Sequence, residues 1–151
     1  MAETGYSGTP LAKKLGLKDG QAVAFVGLPD SLSYLRDAAL YRRIELAPDW
    51  RALPEGARDV IHLFTTRAAE VVECMPVLRD LIQPAGMIWV SWPKKAAKRP
   101  TDVTEDVIRN RALADVLVDV KVCAVDEVWS ALKLVVRTEA RAAHVNAGAR
   151  T

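Results

Sequence analysis

Uninterrupted apolar runs alternate with stretches of helical spacing along most of this chain, and that alternation sets the expected fold. AVAFVGL (from Ala22, with the turn at Gly27), DVIHLFT (Asp59–Thr65) and MIWVSW (Met87–Trp92) carry almost no polar alternation. Runs of that kind suit central strands of a parallel sheet covered on both faces. Between them the period changes. Asp30–Leu40 places Leu32, Leu35 and Ala39 on one helical face behind an Asp30 or Ser31 cap. Arg67–Ile82 carries a stripe of Val71, Met75, Leu78 and Ile82, closed by Gln83-Pro84-Ala85-Gly86. Pro76 removes a backbone donor inside that stripe, so a kink or a break is expected there. Arg42–Leu46 is a weaker strand pattern, and 48–56 reads as loop.

The two ends differ from this core. Residues 1–8 are rich in glycine and hydroxyl groups; Thr9-Pro10 then offers a hydroxyl cap followed by proline at the first helical position. The short helix LAKKL stops at Gly16, and Lys18-Asp19-Gly20 makes a turn into the first strand. Past the third long apolar run, a helix over Val103–Leu113 is predicted, with Asp102 and Glu105 at capping-box spacing. Val116–Val125 alternates, Val118, Val120, Val122 and Ala124 on one face and Asp119 and Lys121 on the other. Asp126-Glu127-Val128 turns, and Ser130–Arg137 runs back; a link that short joins only antiparallel neighbours. The prediction is therefore one Rossmann-like α/β domain over 1–137, its open sheet mostly parallel with an antiparallel hairpin at the end. Residues 138–151 are expected to form a loose tail.

Composition narrows the partners. Half of the 151 residues are hydrophobic and 26% are charged, with a net charge of +2, too small for a bulk field to select nucleic acid or membrane. No secretory pattern opens the chain and no apolar run approaches the roughly 20 residues that cross a bilayer, so a cytoplasmic address and no membrane partner are expected. Cys74 and Cys123 sit in apolar segments without a CxxC pair, which favours buried thiols over a metal site. His62 lies within a strand pattern and is expected to be packed.

Ligands of open α/β sheets sit beyond the carboxyl ends of the strands. Those ends bring up Gly27 and Pro29, then Thr65, Thr66 and Arg67, then Trp92, Lys94 and Lys95, and finally Asp126 and Trp129. The loop from Lys94 to Arg99 holds four cations in six positions and leads to a helix start, a setting that suits phosphate or carboxylate. A solvated basic loop is the plainer reading of the same residues. Asp126 and Glu127 suit a turn, and Trp89 and Trp92, an odd number of positions apart, face opposite ways. Trp50 suits a loop anchor or an interface. The expectation taken forward is that the corners after Gly27 and Trp92 share one hollow. Nucleic acid is disfavoured, since no second basic face is visible.

The phrases GYSGTPLAKKLG, WVSWPKKA, PTDVTEDVIR and VDVKVCAVDEVWSALKLV resemble a family of small bacterial proteins known only as a domain of unknown function. The layout resembles a reduced class I S-adenosylmethionine-dependent methyltransferase: Ala22–Gly27 matches its first strand, Leu81–Met87 its later Leu-x-Pro-Gly-Gly turn, and Val116–Arg137 its closing hairpin. That resemblance implies S-adenosylmethionine as cofactor and Glu45 as the carboxylate for the ribose hydroxyls. The family's glycine-rich loop is here Val26-Gly27-Leu28-Pro29-Asp30-Ser31, with one glycine and a proline. The leading expectation is accordingly a non-catalytic module binding an anionic small molecule or a partner protein, with no catalytic residue or metal ligand assigned. The alternative is a reduced methyltransferase.

Overall fold

A computed structural model describes residues 10–144 and places six strands in one sheet: β1 (Ala22–Val26), β2 (Arg43–Ala47), β3 (Arg58–Phe64), β4 (Ile82–Pro93), β5 (Leu117–Ala124) and β6 (Trp129–Val136). Their order is β2-β1-β3-β4-β6-β5. The first four run parallel, and β6 lies antiparallel to both β4 and β5. All five residues of β1 are buried, as an apolar run without alternation requires. The mostly parallel α/β architecture is the one the hydrophobic pattern predicts.

Two apolar layers cover the sheet. On one face α2 (Ala68–Asp80) and α3 (Glu105–Leu113) bury Val71, Met75, Leu78, Ile108 and Ala112 against Ile61, Leu63, Ile88, Val90 and Leu132. Trp50 anchors the β2–β3 connection in that layer, its ring under the Arg51 guanidinium at 4.4 Å. On the other face α1 (Leu11–Lys14) and a 3-10 helix over Asp30–Asp37 set Leu11, Leu15, Leu32 and Leu35 against Val23, Phe25, Val60 and Trp89. The Trp89 indole donates to the Leu15 carbonyl at 2.9 Å, which ties α1 to the middle of the sheet.

Several local expectations are corrected. The helix over Asp30–Leu40 is a 3-10 helix ending at Asp37. α2 does not break at Pro76, which lies inside the continuous helix Ala68–Asp80. Asp102 does not cap α3: Thr104 does, accepting from the Val107 amide at 3.2 Å, while Glu105 pairs with Arg109. β5 does not keep one valine face. A register shift between Asp119 and Lys121 leaves Val120 out of the ladder. Asp119 thereby points to the α3 side, where it accepts from Arg109 at 3.0 Å. Residues 138–144, assigned by composition to a tail, include a 3-10 helix over Thr138–Ala143; Arg141 donates to the Val136 carbonyl and His144 lies 3.0 Å from the Ile82 carbonyl. The Thr9 cap and Gly5–Thr9 lie outside the described residues.

Arg58 holds the parallel half together. Fully buried at the start of β3, its guanidinium meets both oxygens of Glu45 on β2, at 2.7 and 2.9 Å, and donates to the carbonyls of Pro54 and Gly56. It thus spans the sheet beneath β1 and pins the connecting loop. Burial pulls the Glu45 carboxyl upward, but the hydrogen bonds and charge of Arg58, joined by Arg43, hold it below the ordinary value.

Glu45→Gln is expected to cost about 3–5 kcal/mol in urea denaturation, because it leaves a buried guanidinium uncompensated. The native pair's contribution is present above the unfolded glutamate pKa and lost as pH falls through the lower folded one. The variant is therefore expected to show a shallower acid-side decline in stability. Gly86 packs against backbone: a Cβ there would lie 3.0 Å from the Arg58 carbonyl oxygen and 3.1 Å from that of Asp59. Gly86→Val is expected to lower stability by about 1–3 kcal/mol, read from the urea midpoint.

Candidate functional site

The connections leaving β1 and β3 pass to opposite faces of the sheet, so the carboxyl edge beside β1 is its topological switch point. Gly27 turns the chain there with φ of 71°, and a Cβ would meet the Phe64 carbonyl oxygen at 3.2 Å. Only glycine takes that left-handed corner without strain. Beside it opens a hollow of about 470 Å³ lined by Phe25, Gly27, Leu28, Leu46, Ala47 and Pro48 on one side and by Asp30, Ser33 and Arg36 on the other. The three polar residues recur every third position of a 3-10 helix, whose three-residue turn stacks them in one ridge. The lining is therefore an apolar bed with a wall of one carboxylate, one hydroxyl and one guanidinium.

A second hollow, of about 420 Å³, lies farther along the same edge. Trp92, Pro93, Lys94, Lys95 and Arg99 line it from β4 and the basic loop, and Thr101, Val103, Thr104 and Glu105 from the approach to α3. The loop is fastened at its far end. Thr101 donates to the Thr66 carbonyl at 2.8 Å, and the Asp102 carboxylate accepts from the Ala68 amide at 2.7 Å. Asp102 thus satisfies an exposed donor at the first turn of α2, not of α3.

Of the ten residues expected to form one site, four line these hollows, and they do not line the same one. Gly27 lines the first; Trp92, Lys94 and Lys95 line the second. The two corners share an edge, as expected, yet they do not share a hollow: Leu28 packs with the α1 layer and Trp92 with the α2 and α3 layer. Pro29 caps the 3-10 helix, its carbonyl accepting from Leu32. Thr65 is buried and engaged by Glu70 and the Arg67 amide, while Thr66 and Arg67 are exposed and line neither hollow. Asp126 accepts from the amides of Val128 and Trp129 and shapes its own turn. Trp129 meets Phe64 edge-on at 5.3 Å between centroids. Asp30, Ser33 and Arg36 were missed because a search for apolar helical faces passes over the opposite, polar one. Their three-residue spacing was the available signal.

Burial shifts three titratable groups in the core away from their charged forms. Complete burial pushes His62 down to about 3, so its ring is neutral, stacked on Phe64 and 2.7 Å from the Ser91 hydroxyl. Burial, then Glu70, pushes the Cys74 thiol up to about 12. Burial likewise raises Cys123, and both cysteines are unpaired and buried. Among the described residues no group of three or more His, Cys, Asp or Glu side chains is arranged to hold a metal ion, and no helix is long and apolar enough to cross a membrane.

No protein-family model and no curated protein matches the sequence. Solved structures do resemble the fold. The magnesium protoporphyrin IX methyltransferase of Synechocystis PCC 6803, solved with bound SAM, superposes with a TM-score of 0.60 at 17% identity, over 83% of this chain and 74% of that one. The B. subtilis tRNA methyltransferase TrmK gives 0.56 at 10% identity, over 91% and 68%. The CcbJ methyltransferase of Streptomyces caelestis gives 0.54 at 10%, over 83% and 86%. The fold is thus the Rossmann-like fold of class I methyltransferases. This overturns the leading expectation of a non-catalytic module: the neighbours are enzymes, and of the two readings the fold favours the reduced methyltransferase.

His62 binds a proton readily only when unfolded, so the unfolded state gains protons first as pH drops. Stability is expected to fall by about 1.4 kcal/mol per pH unit on this account as pH declines from 6.5 towards 3. The double variant His62→Phe/Ser91→Ala, followed by denaturant titration across that window, is expected to lose this component of the slope.

Proposed function

We propose that this protein is a small S-adenosylmethionine-dependent methyltransferase that holds its cofactor in the hollow beside Gly27. The observation carrying the proposal is the donor set of that hollow: a guanidinium and a carboxylate, Arg36 and Asp30, on one ridge facing an apolar bed. The amino-acid end of S-adenosylmethionine is a zwitterion, and a cation and an anion on one wall, two helical turns apart and linked by Ser33, offer a partner each to its carboxylate and its ammonium. At about 470 Å³ the hollow is also of ordinary size for a small-molecule site. When bound, the cofactor supplies an electrophilic methyl group on a sulfonium. Kinship with the small bacterial family of unknown function is part of this proposal.

The chain's own residues then have distinct tasks. Arg36 and Asp30 orient the amino-acid end, with Ser33 as a further hydrogen-bonding group between them. Phe25, Leu28, Leu46 and Ala47 offer apolar surface to the rest of the ligand, and Gly27 leaves the corner without a side chain. Glu45 does not serve the ribose hydroxyls, since Arg58 and Arg43 occupy its carboxylate. Asp30 is the carboxylate that lines the hollow, and binding is expected to lean on the 3-10 helix more than on the end of β2. The edge from Thr66 towards Trp92 is left for the methyl acceptor.

Calorimetric titration with S-adenosylhomocysteine is expected to show a single saturable site. Arg36→Ala is expected to weaken it at least about tenfold, the loss of one charge-assisted hydrogen bond. Absence of binding heat and of any melting-temperature shift at millimolar ligand would overturn the proposal.

A further inference from the structure

Every residue that lines the second hollow comes from one stretch, 92–105, so a single loop encloses it. Both ends of that loop are pinned. At the near end the Lys94 amide donates to the Val128 carbonyl at 2.7 Å. At the far end Thr101 and Asp102 are fastened to the β3–α2 corner. Between them a 3-10 turn over Lys95–Ala97 and a left-handed Lys98 fold the chain back on itself. The hollow is therefore shaped by hydrogen bonds already in place, which lowers the ordering cost of binding there.

The lining divides by chemistry. Trp92, Pro93 and Val103 make an apolar wall packed towards the α2 and α3 layer, with Pro93 and Val103 buried and Trp92 half-buried. Lys95 and Arg99 are exposed at the rim and enter no ion pair among the described residues. Glu105 is the carboxylate in the lining, and Arg109 already pairs with it. Asp102 is taken up by the Ala68 amide, Asp106 by Arg109 and Asp126 by its own turn; neither these nor Glu127 line the hollow. The two hydroxyls are engaged as well, Thr101 by the Thr66 carbonyl and the Val103 amide, Thr104 by the Val107 amide. An incoming molecule thus meets an indole and proline surface beside two cations.

An inorganic anion uses only half of that offer. A phosphate is only a few times the roughly 30 Å³ share of a water molecule, so alone it would leave most of about 420 Å³, and the indole wall, to solvent. An anionic group carried on a flat ring uses both halves. Its charge meets Lys95 and the planar fork of Arg99, and its ring lies against Trp92. We propose that the second hollow is a small-molecule site, separate from the cofactor's, for an aromatic acid: a ring bearing a carboxylate or a phosphate. The site does not rest on the methyltransferase reading.

Proton–nitrogen NMR titrations with benzoate and with phenyl phosphate test it, following the Trp92 indole signal identified through Trp92→Phe. A saturable shift at millimolar concentration is expected for at least one of them, and the tighter of the two shows which acid the site takes. Neutral benzamide is expected to bind at least tenfold more weakly than benzoate, and inorganic phosphate at least tenfold more weakly than phenyl phosphate. Raising the ionic strength from about 0.01 to about 1 M is expected to weaken the acid several-fold, as the screening length falls from about 30 to about 3 Å. Lys95→Gln/Arg99→Gln, at exposed positions, is expected to keep the melting temperature and to weaken the acid at least tenfold. No saturable shift with either acid, benzamide binding as tightly as benzoate, or unchanged affinity in the folded double variant would overturn the proposal. Displacement of the bound acid by S-adenosylhomocysteine would overturn it too, by placing both ligands in one hollow. Binding of an aromatic acid without binding of S-adenosylhomocysteine supports this site and removes only the cofactor assignment.

Discussion

A single buried guanidinium governs the parallel half of this molecule. Arg58 has no contact with water, and its hydrogen bonds are made with one carboxylate and two loop carbonyls. A charge in that position is tolerable only while every partner is in place. β2 must therefore lie at the register that sets Glu45 beside Ala24, and the loop carrying Pro54 and Gly56 must close over the guanidinium. With β2 so fixed, Ala47 accepts from the Gly27 amide at 2.9 Å, and the ends of β1 and β2 stand level beside the first hollow. The pair also explains a departure from the methyltransferase pattern. The carboxylate that resemblance assigns to a ribose is here held by Arg58 and Arg43, and the carboxylate lining the first hollow is Asp30 on the neighbouring 3-10 ridge.

The other end of the carboxyl edge is organised by hydrogen bonds in place of a buried charge. Thr101 and Asp102 fasten the basic loop to the β3–α2 corner, and Thr104 begins α3 immediately afterwards. Cations at positions 95, 98 and 99 therefore project from a loop whose far end is fixed. Lys98 adopts a left-handed backbone with φ of 54°, which marks how sharply that loop turns.

Much of the architecture was legible from period alone. Apolar runs without alternation named β1, β3 and the outer part of β4, and the short Asp126–Val128 link named the antiparallel hairpin. What escaped was whatever depends on a neighbour distant in sequence. The β5 valines alternate correctly on paper, but a ladder irregularity at Val120 reassigns their faces. Asp102 and Glu105 have capping-box spacing, yet a donor 34 positions away claims Asp102. The candidate site suffered in the same way. Strand ends brought up the carboxyl edge along which both hollows lie, whereas Asp30, Ser33 and Arg36 become one wall only because that segment winds at three residues per turn.

The two hollows open on opposite faces of a single sheet, one over the α1 layer and one over the α2 and α3 layer. They differ in charge as well as in position: the first sets one guanidinium and one carboxylate, Arg36 and Asp30, over an apolar bed, whereas the second gathers Lys94, Lys95 and Arg99 opposite the single carboxylate of Glu105.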